Sequence, residues 1–225
     1  MHSTQRPLTT NQRARRFRIL KATQKLVTEH GYSGTIMRDV AALAEVSATT
    51  LYNLYNTKDE LLLAALTESI VESAQRAHQD AGGPGYRYLL AHAQHVAEFT
   101  RTQPSFVSAI SEALFRASPG DALVVMLMDQ LREDARKSLD AMAAADELAA
   151  GADLSGMATR LTGAFWATFL LWSKGLIQLD ALEDTLRDSY LSVLIPASQG
   201  DARTALEVAY ASPSYTSATV RPPHR

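Results

Sequence analysis

The sequence predicts an all-α protein of about nine helices arranged in two parts. Apolar residues recur at three- and four-residue spacing in nearly every segment, and no convincing alternating strand pattern is present. Charge is also divided unequally: residues 1–58 contain nine Lys/Arg and three Asp/Glu, whereas residues 59–225 contain thirteen and twenty-one. A basic first part and an acidic second part indicate two different tasks.

Composition excludes several classes of protein. Of the 225 residues 46% are apolar and 20% are charged, which is enough for a globular core. There is no cysteine, so disulfides, thiolate chemistry and Cys-based zinc sites are excluded, and a cytoplasmic protein is expected. The N-terminus lacks an apolar signal region. The most apolar segment, Leu161–Ser173, is shorter than the roughly 20 residues that span a bilayer, so we expect a buried or interface helix and no membrane contact.

The first helix is predicted to follow a flexible arm. Residues 1–10 are polar and patternless, and a helical pattern begins at Asn11 and ends at Gly31, which is typical of a residue just past a helix C-terminus. The face of this helix opposite its apolar residues is basic: Arg13, Arg15, Arg16, Arg18, Lys21 and Lys25.

Two short helices and a tight turn come next. Thr35 is predicted to cap a helix over 36–43, and Ser47 a helix over 48–55, with the turn at 44–46 between them. This order predicts a helix-turn-helix.

A longer fourth helix starts after Thr57, its predicted cap, with Glu60 completing a capping box. It ends near Gln79, before the break at Gly82–Gly85. Five more helical segments are predicted at 86–102, 104–117, 120–148, 154–176 and 180–195. The predicted divisions are an arm at 1–10, the helix-turn-helix domain at 11–58, a helical bundle at 59–196 and a tail at 197–225 with a possible short helix.

The second helix of a helix-turn-helix lies in the major groove of DNA, where short polar side chains let the backbone approach. Five side chains suit that role: Ser47, Thr49, Thr50, Tyr52 and Asn53. Leu51, with Leu54 or Tyr55, is expected to anchor the helix. Lys58 at the start of the fourth helix favours a phosphate, and Thr35 and Arg38 are expected to hold the DNA backbone in the same way. On residue types alone, a solvated polar face remains an alternative.

The segment "GYSGTIMRDVAALAEVSATTLYNLYNTKDELLLAAL" resembles the DNA-binding domain of the TetR family of bacterial transcriptional regulators. The resemblance covers about residues 15–75 and disfavours the solvated-face alternative. The matching positions are Gly31, Thr35, Val40-Ala41, Val46-Ser47, Thr50-Leu51-Tyr52, Tyr55, Lys58 and Leu61. Two positions depart from the pattern, because Glu45 and Thr49 stand where the family usually has glycine. Glu45 would be strained if its φ is positive, and Thr49 is expected to alter the preferred operator.

The resemblance implies specific contacts to DNA. Tyr52 and Lys58 match residues that contact phosphate, and four positions match residues near bases: Ala48, Thr49, Thr50 and Asn53. For the arginines of the first helix two interpretations stay open, a solvated basic face or contact with the DNA backbone or minor groove.

For the second part the resemblance implies a ligand-binding and dimerisation domain. The sequence supports a homodimer independently, since residues 157–172 are apolar on nearly all sides. The predicted interface residues are Gly163, Ala164, Ala167, Leu171, Leu182, Leu186, Tyr190 and Val193. Two recognition helices about 34 Å apart would then enter successive major grooves.

A small-molecule effector is expected among aromatic and methionine side chains of the bundle, although each of these also fits a plain core or surface position. The candidates are Phe99, Phe106, Ile110, Phe115, Met126, Met128, Trp166, Phe169 and Trp172, with Glu112 to orient the ligand. His92, His95 and Glu98 stand three residues apart, a spacing that can bind a metal, but ordinary exposed or hydrogen-bonded histidines are favoured. We expect neither a metal nor another cofactor.

No phosphate-binding glycine loop, nucleophile elbow or His-Glu-x-x-His motif is present, so an enzyme is not expected. The expected function is a repressor that releases a (pseudo)palindromic operator when an effector binds. The alternatives are a small-molecule-binding helical protein or enzyme with a vestigial helix-turn-helix, and an activator or regulator without an effector.

Overall fold

The computed structural model describes residues 9–118 and 120–211, apart from the side chains of residues 112, 115, 122 and 123. Ten α-helices fill these ranges, which confirms the all-α prediction. They are α1 (Thr10–Gly34), α2 (Met37–Leu43), α3 (Ala48–Leu54), α4 (Lys58–Ala81), α5 (Tyr86–Thr102), α6 (Pro104–Arg116), α7 (Ala122–Ala144), α8 (Leu154–Ser173), α9 (Leu182–Leu194) and α10 (Gly200–Ala211). The short helix predicted in the tail is α10, and residues 212–225 lie outside the described ranges.

The described residues form two compact units. The first unit holds the residues up to Ser69 together with Gln103–Val124, and the second holds Ile70–Thr102 and the residues from Val125 onward. This division differs from the predicted boundary after residue 58, because α6 packs along α1 and therefore joins the first unit. Periodicity predicted α6 as a helix, but it carried no information about the helix on which it packs.

Helix termini in the first unit follow the sequence closely, with two differences. The hydroxyl of Ser47 accepts from the backbone N–H of Thr50 at 3.0 Å, and that of Thr57 accepts from Glu60 at 3.0 Å, so both predicted caps are confirmed. Glu60, however, accepts from the N–H of Asn56 at 2.8 Å and does not close a box with Thr57. The prediction of Thr35 as a cap was wrong, because Ile36 occupies the N-cap of α2.

Glycine ends the regular part of α1 as expected. Gly31 has φ 69°, a left-handed conformation in which other residues are strained, and the chain continues for one irregular turn to Gly34. Thr35 then donates its hydroxyl to the carbonyl of Gly31 at 2.8 Å.

The core of the first unit joins α1, α2, α3, α4 and α6. Its side chains that are 0% exposed include Ile19, Val27, Val40, Leu51, Leu61, Leu62 and Phe106. These residues come from all five helices, and α2 packs on α1 while α3 packs on α2, so the helix-turn-helix is held against α1.

The second unit packs α5, α8 and α9 together around a separate core. Its side chains that are 0% exposed include Ala93, Leu139, Met142, Leu186, Leu191, Leu194 and Leu206. Among the described helices, none combines the length and apolar content that crossing a bilayer requires.

Candidate DNA interface and ligand-binding core

The third helix presents the side chains that the sequence predicted for DNA recognition. Ser47, Ala48, Thr49, Tyr52 and Asn53 are all exposed, and half of the Tyr52 side chain is accessible. On the opposite side, Leu51 is fully buried. A seven-residue helix with one buried anchor therefore leaves one continuous face open for a partner.

Thr50 differs from its neighbours on α3. Its hydroxyl lies 2.8 Å from the hydroxyl of Ser47, and its side chain is only partly exposed. Part of its hydrogen-bonding capacity is thus used in the cap, and the more exposed Thr49 and Asn53 remain accessible for base contacts.

The sequence left open which residue anchors α3 beside Leu51, and the structure selects Tyr55. Tyr55 is 9% exposed, and its burial raises the pKa of the phenol above the usual value. Leu54, by contrast, is 50% exposed and lies on the open face.

Two side chains that were predicted to contact DNA form hydrogen bonds within the protein. The side chain of Thr35 is 3% exposed and bound to Gly31, so it is not available to DNA. The ammonium of Lys58 donates to the carbonyl oxygens of Tyr32 and Thr35, at 2.7 and 3.2 Å. Lysine has a flexible stem, and its sequence position alone did not reveal these partners.

Several arginines remain accessible near the recognition helix. Arg38 is exposed at the start of α2 and has no hydrogen bond or ion pair among the described residues. Arg13 and Arg16 are exposed on α1, while Arg18 donates from Nε to the carbonyl of Ala44 in the turn at 3.3 Å. Accessible guanidinium groups here are suited to contact phosphates.

The turn between α2 and α3 meets the condition under which strain was expected at Glu45. Glu45 has φ 55°, and only one other described non-glycine residue, Asp146, has a positive φ. The left-handed conformation costs a side-chain-bearing residue about 1 kcal/mol.

We therefore expect Glu45→Gly to raise the free energy of unfolding by up to about 1 kcal/mol, measured by urea denaturation.

Glu45→Gln separates strain from charge at the same position, because it removes the carboxylate and keeps the backbone conformation. It should leave stability nearly unchanged and strengthen DNA binding, since a negative charge beside the recognition helix repels phosphates. A Glu45→Gly variant less stable than the wild type would contradict the strain argument.

An exposed apolar strip runs along α8. Gly163 and Ala167 are exposed, and Leu170 and Leu171 are 38% and 39% exposed. Large aliphatic side chains beside small residues on one helix face can pack closely against a second helix, so Gly163, Ala167 and Leu171 stay predicted interface residues.

Three other predicted interface residues are buried and therefore do not belong to an exposed dimer surface. Leu182, Leu186 and Tyr190 are 0%, 0% and 2% exposed and contribute to the interior of the second unit. Only Val193 of the predicted residues on α9 keeps partial exposure. The apolar stripe of α9 faces the core, and periodicity does not distinguish a core from a dimer contact.

The predicted effector residues do not form one group. Phe106 and Ile110 are buried in the first unit, whereas Trp166, Phe169 and Trp172 are half-buried in the second. Phe99 and Met128 of the second unit are half-buried, and Met126 there is 44% exposed. The side chains of Glu112 and Phe115 lie outside the described part of the structure.

A row of aromatic rings crosses the second unit. The ring of His78 stacks on Tyr88 at 4.0 Å between centroids, and Tyr88 lies 5.9 Å from His92. His92 lies 5.7 Å from Phe165, which contacts Trp166 at 5.2 Å. The row continues from Phe165 through Phe169 to Trp172.

Beside this row lies a small internal cavity of about 10 Å³, enough for about one water molecule. Its lining includes Tyr88, His92 and Tyr190, which are each at most 3% exposed. None of these three side chains has a hydrogen bond to another described residue. Among the described residues, the indole Nε1 of Trp166 is a buried side-chain nitrogen without a hydrogen-bond partner. Sequence reasoning missed this polar centre, because tyrosine and histidine on apolar helix faces look like ordinary core residues.

Burial lowers the pKa of His92 to about 4, with the nearby His95 and His78 acting in the same direction. The unfolded value is near 6.5, so between about pH 6.5 and 4 the unfolded chain binds a proton that the folded chain does not. Stability should therefore fall as the pH drops through this window, by at most about 3 kcal/mol. Urea denaturation at pH 7.5, 6 and 5 measures this loss.

His92→Gln should make stability less dependent on pH in that window, whereas His30→Gln, at an exposed histidine, should not. Equal pH dependence in the wild type and His92→Gln would show that another group is responsible.

The second unit also has a cleft of about 370 Å³ that none of the predicted effector residues lines. Asp80, Arg87, Glu183 and Arg187 are among its lining residues. Nearby, His95 Nε2 lies 2.6 Å from Asp80 Oδ2. Among the described residues, no three histidine or acidic side chains are grouped to hold a metal ion.

Helix α3 follows the short helix α2, is capped by Ser47 and is anchored by the buried Leu51, while its other face is exposed. This arrangement defines the chain as a helix-turn-helix protein. The sequence model described as "Bacterial regulatory proteins, tetR family" matches residues 19–65, which contain this motif. This segment of the chain is therefore similar to the DNA-binding part of the tetR family of bacterial regulatory proteins.

One relative is the "HTH-type transcriptional repressor KstR" of Rhodococcus jostii (strain RHA1). It is 30% identical over 142 residues, which are 61% of this chain and 66% of the relative. The chain thus matches slightly less than two thirds of that relative's length.

Solved structures share the fold. A TetR transcriptional regulator from Rhodococcus sp. RHA1 has a TM-score of 0.66 at 21% identity and covers 82% of this chain and 97% of its own. Thermus thermophilus FadR, a TetR family repressor solved in complex with lauroyl-CoA, has a TM-score of 0.62 at 21% identity, with coverage of 82% and 100%.

Proposed function

We propose that this protein is a transcriptional repressor that binds a (pseudo)palindromic operator as a homodimer. The observation that carries the proposal is the open face of α3, where small polar side chains surround Tyr52 and a buried leucine fixes the helix from behind. Such a face lets the backbone approach base edges. Arg38, Arg13 and Arg16 supply positive charge for the phosphates on either side.

In this function Thr49 and Asn53 read bases, and Tyr52 contacts a phosphate. Changes at Thr49 or Asn53 would then alter the preferred sequence, whereas Tyr52→Ala would weaken binding to all duplexes. Thr49 extends a side chain where the family pattern usually has glycine, so the operator is expected to be unusual at the base pair that Thr49 faces.

The proposed effector is a small molecule that binds in the second unit and favours release of the operator. Support comes from the polar centre of Tyr88, His92 and Tyr190 inside an aromatic core, and from the fold shared with a repressor solved with lauroyl-CoA. Coupling of two sites is reciprocal, so operator DNA must weaken effector binding by the same factor.

Selection of bound duplexes from a random pool tests the proposal. The expected result is two inverted half-sites about 10 base pairs, or a multiple of that, apart. Recovery of no enriched sequence would refute a specific operator.

A second experiment tests effector binding, with lauroyl-CoA as the first probe and free CoA as the control. Fluorescence of the protein's two tryptophans, Trp166 and Trp172, reports the binding.

A further inference from the structure

Side chains from three helices meet where α1 ends. The ammonium of Lys58, at the start of α4, lies 3.9 Å from the centre of the Tyr32 ring. The guanidinium carbon of Arg116, the last residue of α6, lies 4.1 Å from the same ring. Tyr32 donates its hydroxyl to Asp59 Oδ1 at 2.6 Å, and Arg116 Nη2 is 3.6 Å from that oxygen. We call Tyr32, Lys58, Asp59 and Arg116 the Tyr32 cluster.

Within this cluster the ammonium of Lys58 donates hydrogen bonds to two backbone carbonyls. Its hydrogen bonds to the carbonyls of Tyr32 and Thr35 span the irregular end of α1 and the residue that precedes the N-cap of α2. Helix α2 is the first helix of the helix-turn-helix, so Lys58 ties the start of α4 to the segment that sets the position of α2. A lysine held by two carbonyls and an aromatic face already has most of its donors and its charge in use.

Helix α6 is attached to α1 at both of its ends. At its C-terminus Arg116 contacts Tyr32 and Asp59. Before its first residue, the side-chain oxygen of Gln103 accepts from Gln24 at 3.0 Å and from Thr28 at 3.4 Å, and both of these lie on α1. These contacts, with the buried Phe106, make α6 part of the first unit.

We propose that Lys58 and Arg116 are positioning residues for DNA binding. They act through Tyr32 and Thr35 and do not contact DNA phosphates themselves. The proposal rests on the proposed repressor function. According to this proposal α6 contributes to DNA binding, because Arg116 at its end contacts Tyr32 in the segment that leads into α2.

The test compares salt dependence among three matched variants: Lys58→Met, Arg116→Met and Arg38→Met. The probe is a fluorescein-labelled 30-base-pair duplex carrying the sequence selected from the random pool, titrated at several KCl concentrations. Lys58→Met and Arg116→Met should each weaken binding about tenfold at every salt concentration, with an unchanged slope of log affinity against log salt. Arg38→Met should reduce that slope by about 0.9, because it removes a phosphate contact.

A double variant tests whether the two residues act as one unit. Because Lys58 and Arg116 share Tyr32, the loss in Lys58→Met/Arg116→Met should be clearly smaller than the product of the single losses. Arg132→Met, at an exposed arginine of α7 that contacts Asp129 on its own helix, serves as the control and should stay within about twofold of the wild type.

Folding is checked by circular dichroism, and two milder variants keep the test informative if a methionine variant unfolds. Tyr32→Phe removes only the hydroxyl to Asp59, and Arg116→Lys keeps the charge but loses the planar group over the ring. Both should weaken DNA binding at constant salt slope.

Two results would overturn the proposal. One is a salt slope reduced by about 0.9 in Lys58→Met, which would make Lys58 a phosphate contact. The other is unchanged affinity in folded Arg116→Met and Arg116→Lys. Absence of binding by the wild-type protein to any selected duplex is a different outcome, since it would refute the repressor function itself.

Discussion

Ala167→Glu is expected to convert the protein to a monomer and to lower its operator affinity by about 100-fold or more. Ala167 is exposed at the centre of the strip on α8 that also contains Gly163, Leu170 and Leu171. A carboxylate from each subunit would be buried there without a partner and would repel its twin. A monomer binds one half-site and loses the gain from simultaneous binding of two.

Sedimentation velocity and operator titration measure the two effects of Ala167→Glu together. The matched control is Ala143→Glu, which introduces the same charge at an exposed alanine of α7 and should leave both properties unchanged. A dimer that persists in Ala167→Glu would place the interface elsewhere on the subunit.

Leu51→Ala should cost about 3 kcal/mol of stability and weaken operator binding strongly. Leu51 is the fully buried anchor of α3, so its truncation leaves a cavity directly behind the proposed recognition helix. The helix has only seven residues and depends on this packing for its position.

Leu54→Ala is the control on the same helix, because Leu54 is 50% exposed and its truncation creates no cavity. It should change stability by no more than about 0.5 kcal/mol. Urea denaturation compares the two variants. Equal losses at the two positions would mean that α3 is not anchored in the way the structure indicates.

The polar centre of the second unit limits the chemistry of an effector. His92 is neutral at physiological pH because burial lowers its pKa to about 4, and burial raises the pKa of Tyr88 and Tyr190 above the usual phenol value. The cavity is lined by Asp134 as well, so neutral donors and acceptors stand beside a carboxyl group and suit an uncharged oxygen or nitrogen of a ligand better than a carboxylate.

Much of the DNA-binding domain was predictable because its signals are local. Ser47 and Thr57 cap the helices that the sequence assigned to them, and the strain expected at Glu45 is present as a positive φ. A cap depends on residues within one helical turn of each other, so its chemistry is complete in the sequence. The exposure of Thr49 and Asn53 follows in the same way from their spacing around Leu51.

Apolar patterns were less informative about partners. The stripe on α9 was predicted as a dimer contact, yet Leu186 and Tyr190 lie in the core of the second unit. Phe106 and Ile110 were grouped with aromatic residues of α8, but they belong to the other compact unit. Periodicity shows that a helix face is apolar and will be buried. It does not show which neighbour buries the face, because the hydrophobic effect favours any apolar partner equally.

The sequence by itself determined the helices, the caps and the helix-turn-helix with its open polar face, because those features arise between residues a few positions apart. Only the tertiary structure decided that α6 joins α1, that Lys58 binds the end of α1, and that Tyr88, His92 and Tyr190 share one cavity. Each of these depends on contacts between distant segments, and a long side chain or an apolar face does not specify in advance which segment it will meet.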